Sequence, residues 1–127
     1  VYYQMGFHRL RYAALDLALH EQGMDSPYTE RLATWEDRHY EHRITTRVRC
    51  AEYFEIRDAA LRAHASQIDP DGPWFSVPLE IQSKAWPTED WQLVFSAVPT
   101  VIPESDMFAG LRISAPGQPD PSDLWVI

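Results

Sequence analysis

Several places in the sequence hold side chains able to do chemistry. His39 and His42 stand three apart, beside Glu36, Asp37 and Glu41. Histidines at that spacing can share one helical face and hold zinc. The run from Glu36 to Arg43 is almost entirely polar, however, with no apolar shell to fix a metal or exclude water. It reads as a solvated loop. His64 and Gln67 stand one turn apart on the same helical strip as Ile56 and Ala60, so both are expected to point inward. A buried histidine needs partners for its ring nitrogens. The pair is therefore either a structural tie between helix and loop or a pair of side chains beside a substrate pocket. Asp69 and Asp71 are close enough for acid–base work, yet Asp-Pro-Asp-Gly-Pro reads as a turn, because Asp side chains bond to the backbone that follows.

Cys50 ends a strand whose alternation puts Arg47 and Arg49 on the face opposite the sulfur. It reads as a small buried hydrophobe, not an activated thiolate. Tyr2, Tyr3, Trp74, Phe75 and Trp86 are expected to be core aromatics, with an aromatic pocket wall as the alternative. There is no glycine-rich phosphate loop and no nucleophile elbow.

The elements that must position these groups follow from periodicity. Val1 to Met5 reads as a strand. A chain opening directly on a strand, with Val and not Met, leads us to expect that the natural protein extends upstream. Phe7 to Gln22 reads as a helix, with Phe7, Leu10, Ala14, Leu17 and Ala18 on the apolar strip and Leu15 and Leu19 widening it. Gly23 stands where a helix C-cap belongs. Ser26 and Pro27 open a second helix carrying Tyr28, Leu32 and Trp35. Ile44 to Cys50 alternates as a half-buried strand. Tyr53 to Ile68 is the most regular helix, and Pro70 cannot continue it. Pro78 to Trp86 reads as a short helix. Trp91, Leu93, Phe95 and Ala97 alternate as a further strand. Residues 114–127 are rich in Pro, Gly, Ser and Asp and read as a flexible tail behind a single domain, 1–113.

Composition bounds the partners. The 127 residues fit one domain, and 45% hydrophobic with 13% aromatic residues is a globular composition. Eleven Lys and Arg against nineteen Asp and Glu give a net charge of −8. The cations are scattered among carboxylates, which argues against nucleic acid and anionic membrane surfaces as partners. No apolar run approaches the roughly 18 residues that a membrane helix needs. A lone Cys50 allows no internal disulfide and no CxxC zinc site, which is compatible with a cytoplasmic protein.

The segment ITTRVRCAEYFEIRDAALRAHASQIDPDGPWF, Ile44 to Phe75, resembles the C-terminal part of the mycothiol S-conjugate amidases, of the LmbE-like family of zinc-dependent N-deacetylases. Further segments agree in order: VYYQMGFHR at Val1 to Arg9, SPYTERLATWE at Ser26 to Glu36, WPTEDWQL at Trp86 to Leu93 and DMFAGLRI at Asp106 to Ile113. The resemblance covers about nine-tenths of the chain, in one collinear order that random motif matching does not produce. LRAHASQ, Leu61 to Gln67, is similar across the wider deacetylase family. The ITTRV, DPDGPWF, WPTED and FAGL segments are similar to the amidase branch in particular.

The resemblance implies an α/β fold, the C-terminal portion of a Rossmann-like LmbE-type domain with helices packed on a few strands. It implies a hydrolase that cleaves the amide of a mycothiol S-conjugate in detoxification, releasing a mercapturic acid and glucosaminyl-inositol. In the family a His-Pro-Asp-Asp loop and a later histidine hold zinc, which polarises the amide carbonyl and activates water. No His-Pro-Asp-Asp stretch occurs in these residues, so no metal ligand and no catalytic residue is assigned. His64 and Gln67 are the candidates for the substrate pocket. The partner expected is a small-molecule thiol S-conjugate; zinc belongs to the whole enzyme and is not expected on these residues alone. The competing readings are a fragment of an acetylglucosaminyl-inositol deacetylase and a non-catalytic binding module. Oligomeric state stays open.

Overall fold

The computed structural model describes residues 1–36, 40–64 and 66–112. The elements, in order, are strand β1 (Tyr2–Gln4), helix α1 (Arg9–Glu21), short helix α2 (Thr29–Ala33), strand β2 (Thr46–Arg49), helix α3 (Phe54–Ala63), helix α4 (Leu79–Ala85), strand β3 (Thr88–Leu93) and a final turn of helix, α5 (Ala109–Arg112). Single 3₁₀ turns at Tyr40–Arg43 and Ala51–Tyr53 precede β2 and α3. The three strands form one antiparallel sheet in the order β1-β3-β2. The result is a mixed α/β arrangement with helices on a small sheet, as expected at that level.

Local chemistry explains the element ends. His8 caps α1, its Nδ1 accepting the backbone N–H of Arg11. At the other end Gly23 takes φ +69°, where a side chain is strained. The amides of Gly23 and Met24 donate to the carbonyls of His20 and Leu19, which is a Schellman closure. Ser26 Oγ accepts the Tyr28 N–H ahead of α2. The Asp-Pro-Asp-Gly turn forms as read: Asp71 N–H donates to Asp69 Oδ1 at 3.0 Å and Gly72 N–H to the Asp69 carbonyl.

Four expectations are corrected. The buried stripe of α1 is Arg11, Tyr12, Leu15 and Leu19, whereas Phe7 and Leu17 are 70% and 60% exposed. Of the apolar strip, Phe7, Leu10 and Leu17 are exposed and Ala14 and Ala18 half-buried, while Leu15 and Leu19, expected to widen it, are buried with Tyr12 where they meet Tyr28 and Val77. Helix α3 ends at Ala63, five residues early; the backbone leaves helical geometry at His64, which caps it. Strand β3 begins at Thr88 and ends at Leu93, so it starts and stops earlier than the Trp91-to-Ala97 alternation suggested. Its central positions hold Glu89 and Asp90, side chains that strands disfavour. Among the expected core aromatics, Tyr3 is exposed and Trp74, Phe75 and Trp86 are half-buried. The buried rings are Tyr12, Tyr28 and Phe54.

The two sheet edges differ. Beyond β2, Glu104 exchanges backbone bonds with Thr45 and Arg47, and its carboxylate accepts from Thr46 Oγ1 and from the Tyr2 hydroxyl. The outer edge of β1 has no strand partner among the described residues. The 114–127 segment read as a tail lies outside the described residues.

Replacing Gly23 by Ala tests the closure of α1. A Cβ there meets nothing within 4 Å, so the effect is purely one of backbone conformation. We expect Gly23→Ala to lower unfolding free energy by about 1 kcal/mol, read from denaturant midpoints.

Candidate functional site

The interior holds as many charged and polar side chains as apolar ones. His8, Arg11, Thr46, Asp58, Gln82, Glu89 and Asp90 are buried. Burying such groups is tolerable only if each finds partners. Among the described residues every buried side-chain nitrogen and oxygen has one.

The partners divide into two sets because successive strand residues point to opposite faces. Glu89 faces three elements: Oε1 accepts from Arg57 Nη1 at 2.9 Å, and Oε2 accepts from Gln4 Nε2 at 3.1 Å and Arg11 Nη1 at 3.4 Å. Arg57 is engaged at all three of its nitrogens. Its Nε donates to Asp58 Oδ1 and its Nη2 to Gln82 Oε1, each at 2.9 Å. Its flat face stacks on Phe54, 4.1 Å from the ring centre, and on Trp74 at 4.9 Å. Trp74 Nε1 donates in turn to Asp58 Oδ1, and Gln82 Nε2 to the Val77 carbonyl. A planar guanidinium with fixed donors suits this role better than lysine would.

Asp90 serves the other set. Oδ2 accepts from His8 Nε2 at 2.8 Å and Trp86 Nε1 at 3.0 Å; Oδ1 accepts from Thr88 Oγ1 at 2.8 Å. The Arg11 backbone can only donate, so His8 Nδ1 accepts and Nε2 carries the proton given to Asp90. Burial alone pushes the Asp90 carboxyl up; the His8 and Thr88 hydrogen bonds, with the charge of Arg47, outweigh it and hold the group below the ordinary carboxylate value.

Two cavities flank Trp74. One of about 540 Å³ lies between α3 and the β1–α1 corner, lined by Gln4, Phe7, Arg57, Leu61, His64 and Ile68 among others. The other, of about 270 Å³, is lined by Arg11, Tyr12, Tyr28 and Arg31 with Trp74. There Tyr12 and Tyr28 stack with ring centres 4.7 Å apart, and Arg31 lies 5.2 Å over Tyr12. The larger volume is within the usual range for small-molecule sites.

His64 stands on the wall of the larger cavity, and its ring is exposed. Gln67 is exposed in the turn after α3, its N–H donating to the His64 carbonyl. The expected inward strip is corrected: Ile56 is 67% exposed and Ala60 is exposed, because Phe54 and Asp58 form the buried face of α3. His42 falls in a 3₁₀ turn and His39 outside the described residues. Cys50 is half-buried, and burial pushes its thiol up, away from the thiolate. The charged cluster around Glu89 and Asp90 was missed by sequence reasoning. Its signals were polar residues in core register, Arg11 four before Leu15 and Asp58 four after Phe54.

Comparison with known proteins now has a structure to attach to. The chain is 53% identical over 116 residues to the mycothiol S-conjugate amidase of Streptomyces coelicolor, a match covering 91% of this chain and 40% of that enzyme. It is 40% identical over 76 residues to the 1D-myo-inositol 2-acetamido-2-deoxy-alpha-D-glucopyranoside deacetylase of Streptomyces griseus, covering 58% of this chain and 24% of that one. The deacetylase of the same name from Acidothermus cellulolyticus is 35% identical over 79 residues, 58% of this chain and 26% of its own length. No family model and no solved structure matches. The relatives are amide hydrolases by name. The resemblance read from the sequence is borne out: the chain is similar to a mycothiol S-conjugate amidase and to the related inositol acetylglucosamine deacetylases. It spans about two fifths of the length of the amidase it matches.

The zinc that the resemblance implies does not fit the described residues. Among them no three His, Cys, Asp or Glu side chains converge. The buried His8 and Asp90 face each other, and their remaining polar atoms are taken by Arg11, Trp86 and Thr88.

Two substitutions in the cluster, with one control outside it, test its role. Glu89→Ala leaves two guanidinium groups facing a void, and we expect a loss of about 3–5 kcal/mol in stability. Lys84→Ala, at an exposed pair with Glu80, should leave the thermal midpoint unchanged. Asp90 gives a pH signature. A carboxyl held below its ordinary value stabilises the fold above that value, and the contribution is lost as pH falls through the folded-state pKa. Thermal midpoints should therefore drop below about pH 4, and Asp90→Asn should flatten that acid limb while lowering stability at neutral pH.

Proposed function

We propose that this chain forms part of the substrate-binding half of a zinc-dependent amidase. The reaction is hydrolysis of the amide joining glucosaminyl-inositol to the acetylcysteine of a mycothiol S-conjugate, which releases a mercapturic acid in detoxification. The metal ligands and the catalytic carboxylate lie outside these residues. The observation that carries the reading is the contrast in the matches: 53% identity over 91% of the chain with an amidase, against 40% over 58% with a deacetylase.

On this reading the chain is the C-terminal portion of a Rossmann-like domain, with the small sheet extending a larger one. The Glu89–Arg57 cluster holds α3 against β3 and so fixes the walls of the larger cavity. His64, on that wall, and Gln67, in the following turn, are the proposed near-substrate residues.

The test compares two substrates on the intact natural polypeptide. We expect kcat/KM on a mycothiol S-conjugate to exceed that on the acetylated glucosaminyl-inositol by about tenfold or more. The reverse order would make the protein a deacetylase. Turnover of neither substrate would remove the hydrolase assignment. The 127-residue chain by itself is expected to bind no stoichiometric zinc in a metal analysis and to turn over neither substrate.

A further inference from the structure

The larger cavity is built for an uncharged, flat ligand group. Phe7 and Trp74 meet edge to face on one side, with ring centres 6.2 Å apart. Leu61 and Ile68 supply the aliphatic side. Arg57 is the one guanidinium on the lining, and its nitrogens already donate to Asp58, Gln82 and Glu89. Its charge is shared with the Asp58 and Glu89 carboxylates and its Cζ lies over Phe54 and Trp74, so an anion gains little there. A neutral aromatic ring gains dispersion and stacking on Trp74 and Phe7. Gln4 is also committed, its amide donating to Glu89. Among the described residues His64 at the wall is the remaining polar group of the lining, suited to a heteroatom at the mouth.

We propose that this cavity is the subsite for the apolar, aryl-bearing S-substituent of the conjugate. The sulfur and the acetylcysteine would lie toward His64 at the mouth. This inference rests on the amidase reading for the identity of the ligand and on the cavity for its chemistry. It makes the C-terminal residues the part of the enzyme that ranks S-conjugates by their substituents. It also assigns Phe7 a use: an aromatic ring 70% exposed in this chain becomes covered when the substituent binds.

The probes are S-benzyl- and S-methyl-N-acetylcysteine, and tryptophan fluorescence of the intact natural polypeptide reports their binding. The benzyl probe should bind about tenfold or more tighter than the methyl probe. Two substitutions fill the cavity from α3. Leu61→Trp acts from the lining, and Ala60→Phe acts from an exposed position where the fold tolerates the larger side chain. Each should erase most of the benzyl preference. Ile56→Trp, on the outward face of α3, should retain it. Equal binding of the two probes overturns the proposal. So does a benzyl preference that survives both filled variants. Because the readout is binding, it separates from the function test. Aryl-selective binding without S-conjugate turnover would sink the amidase reading alone. Turnover without aryl selectivity would sink the subsite alone.

Discussion

The structure depends on one buried carboxylate. Glu89 sits in the middle strand of a three-stranded sheet and takes hydrogen bonds from β1, α1 and α3 at once. A buried ion is unfavourable in isolation and holds its place only where geometry and further bonds offset desolvation. Here two guanidinium groups and an amide face Glu89, and each guanidinium lies over an aromatic ring. Such a cluster is weak evidence for net stability, since an apolar core of similar volume does as well. Its consequence is specificity of arrangement. The four elements cannot slide without stranding a charge, so the cavity between α3 and the β1–α1 corner keeps one shape.

That constraint explains how a small sheet with a modest apolar core can hold a cavity wall in place. The apolar cluster of Tyr12, Leu15, Leu19, Tyr28 and Val77 joins α1, α2 and α4. The polar cluster joins α1, α3 and the sheet. Trp74 belongs to both sides, touching Arg11, Arg57 and Phe7 and dividing the two cavities. A ring so placed can rank ligands by their flatness and size without contributing to bond breaking. On the proposed function this is a division of labour, with the hydrolytic groups supplied by residues beyond those described and selectivity supplied here.

Much of the fold was legible in the sequence, for identifiable reasons. Gly23 and Ser26 are local signals whose effect does not depend on tertiary context, and each marks an element boundary in the structure, whereas Pro70 stands seven residues beyond the end of α3. The alternation of Thr46 to Arg49 located β2 for the same reason. What failed was the identity of buried faces. Phe7 precedes α1 and, like Leu10 and Leu17 on it, is exposed, because burial is decided by neighbours, and these engage Tyr12 together with the expected Leu15 and Leu19. Helix α3 was read too long because Ala65 and Ile68 continue the pattern past the point where His64 turns the chain. The Glu89–Asp90 centre was invisible to an apolar-period reading, since two acidic residues in a strand are legible only once their cations, 32 and 78 residues away in sequence, are in place. His64 and Gln67 were singled out for facing inward, and both are exposed; His64 reaches the cavity from its rim.

The central claim is that these residues are the pocket wall of a hydrolase whose metal-binding loop lies elsewhere in the same polypeptide. Reading the coding DNA upstream of Val1 tests it most directly. The account predicts an open frame running back through a His-Pro-Asp-Asp loop and a later histidine. A start codon immediately upstream, with neither feature, would contradict it and leave a binding module in place of an amidase.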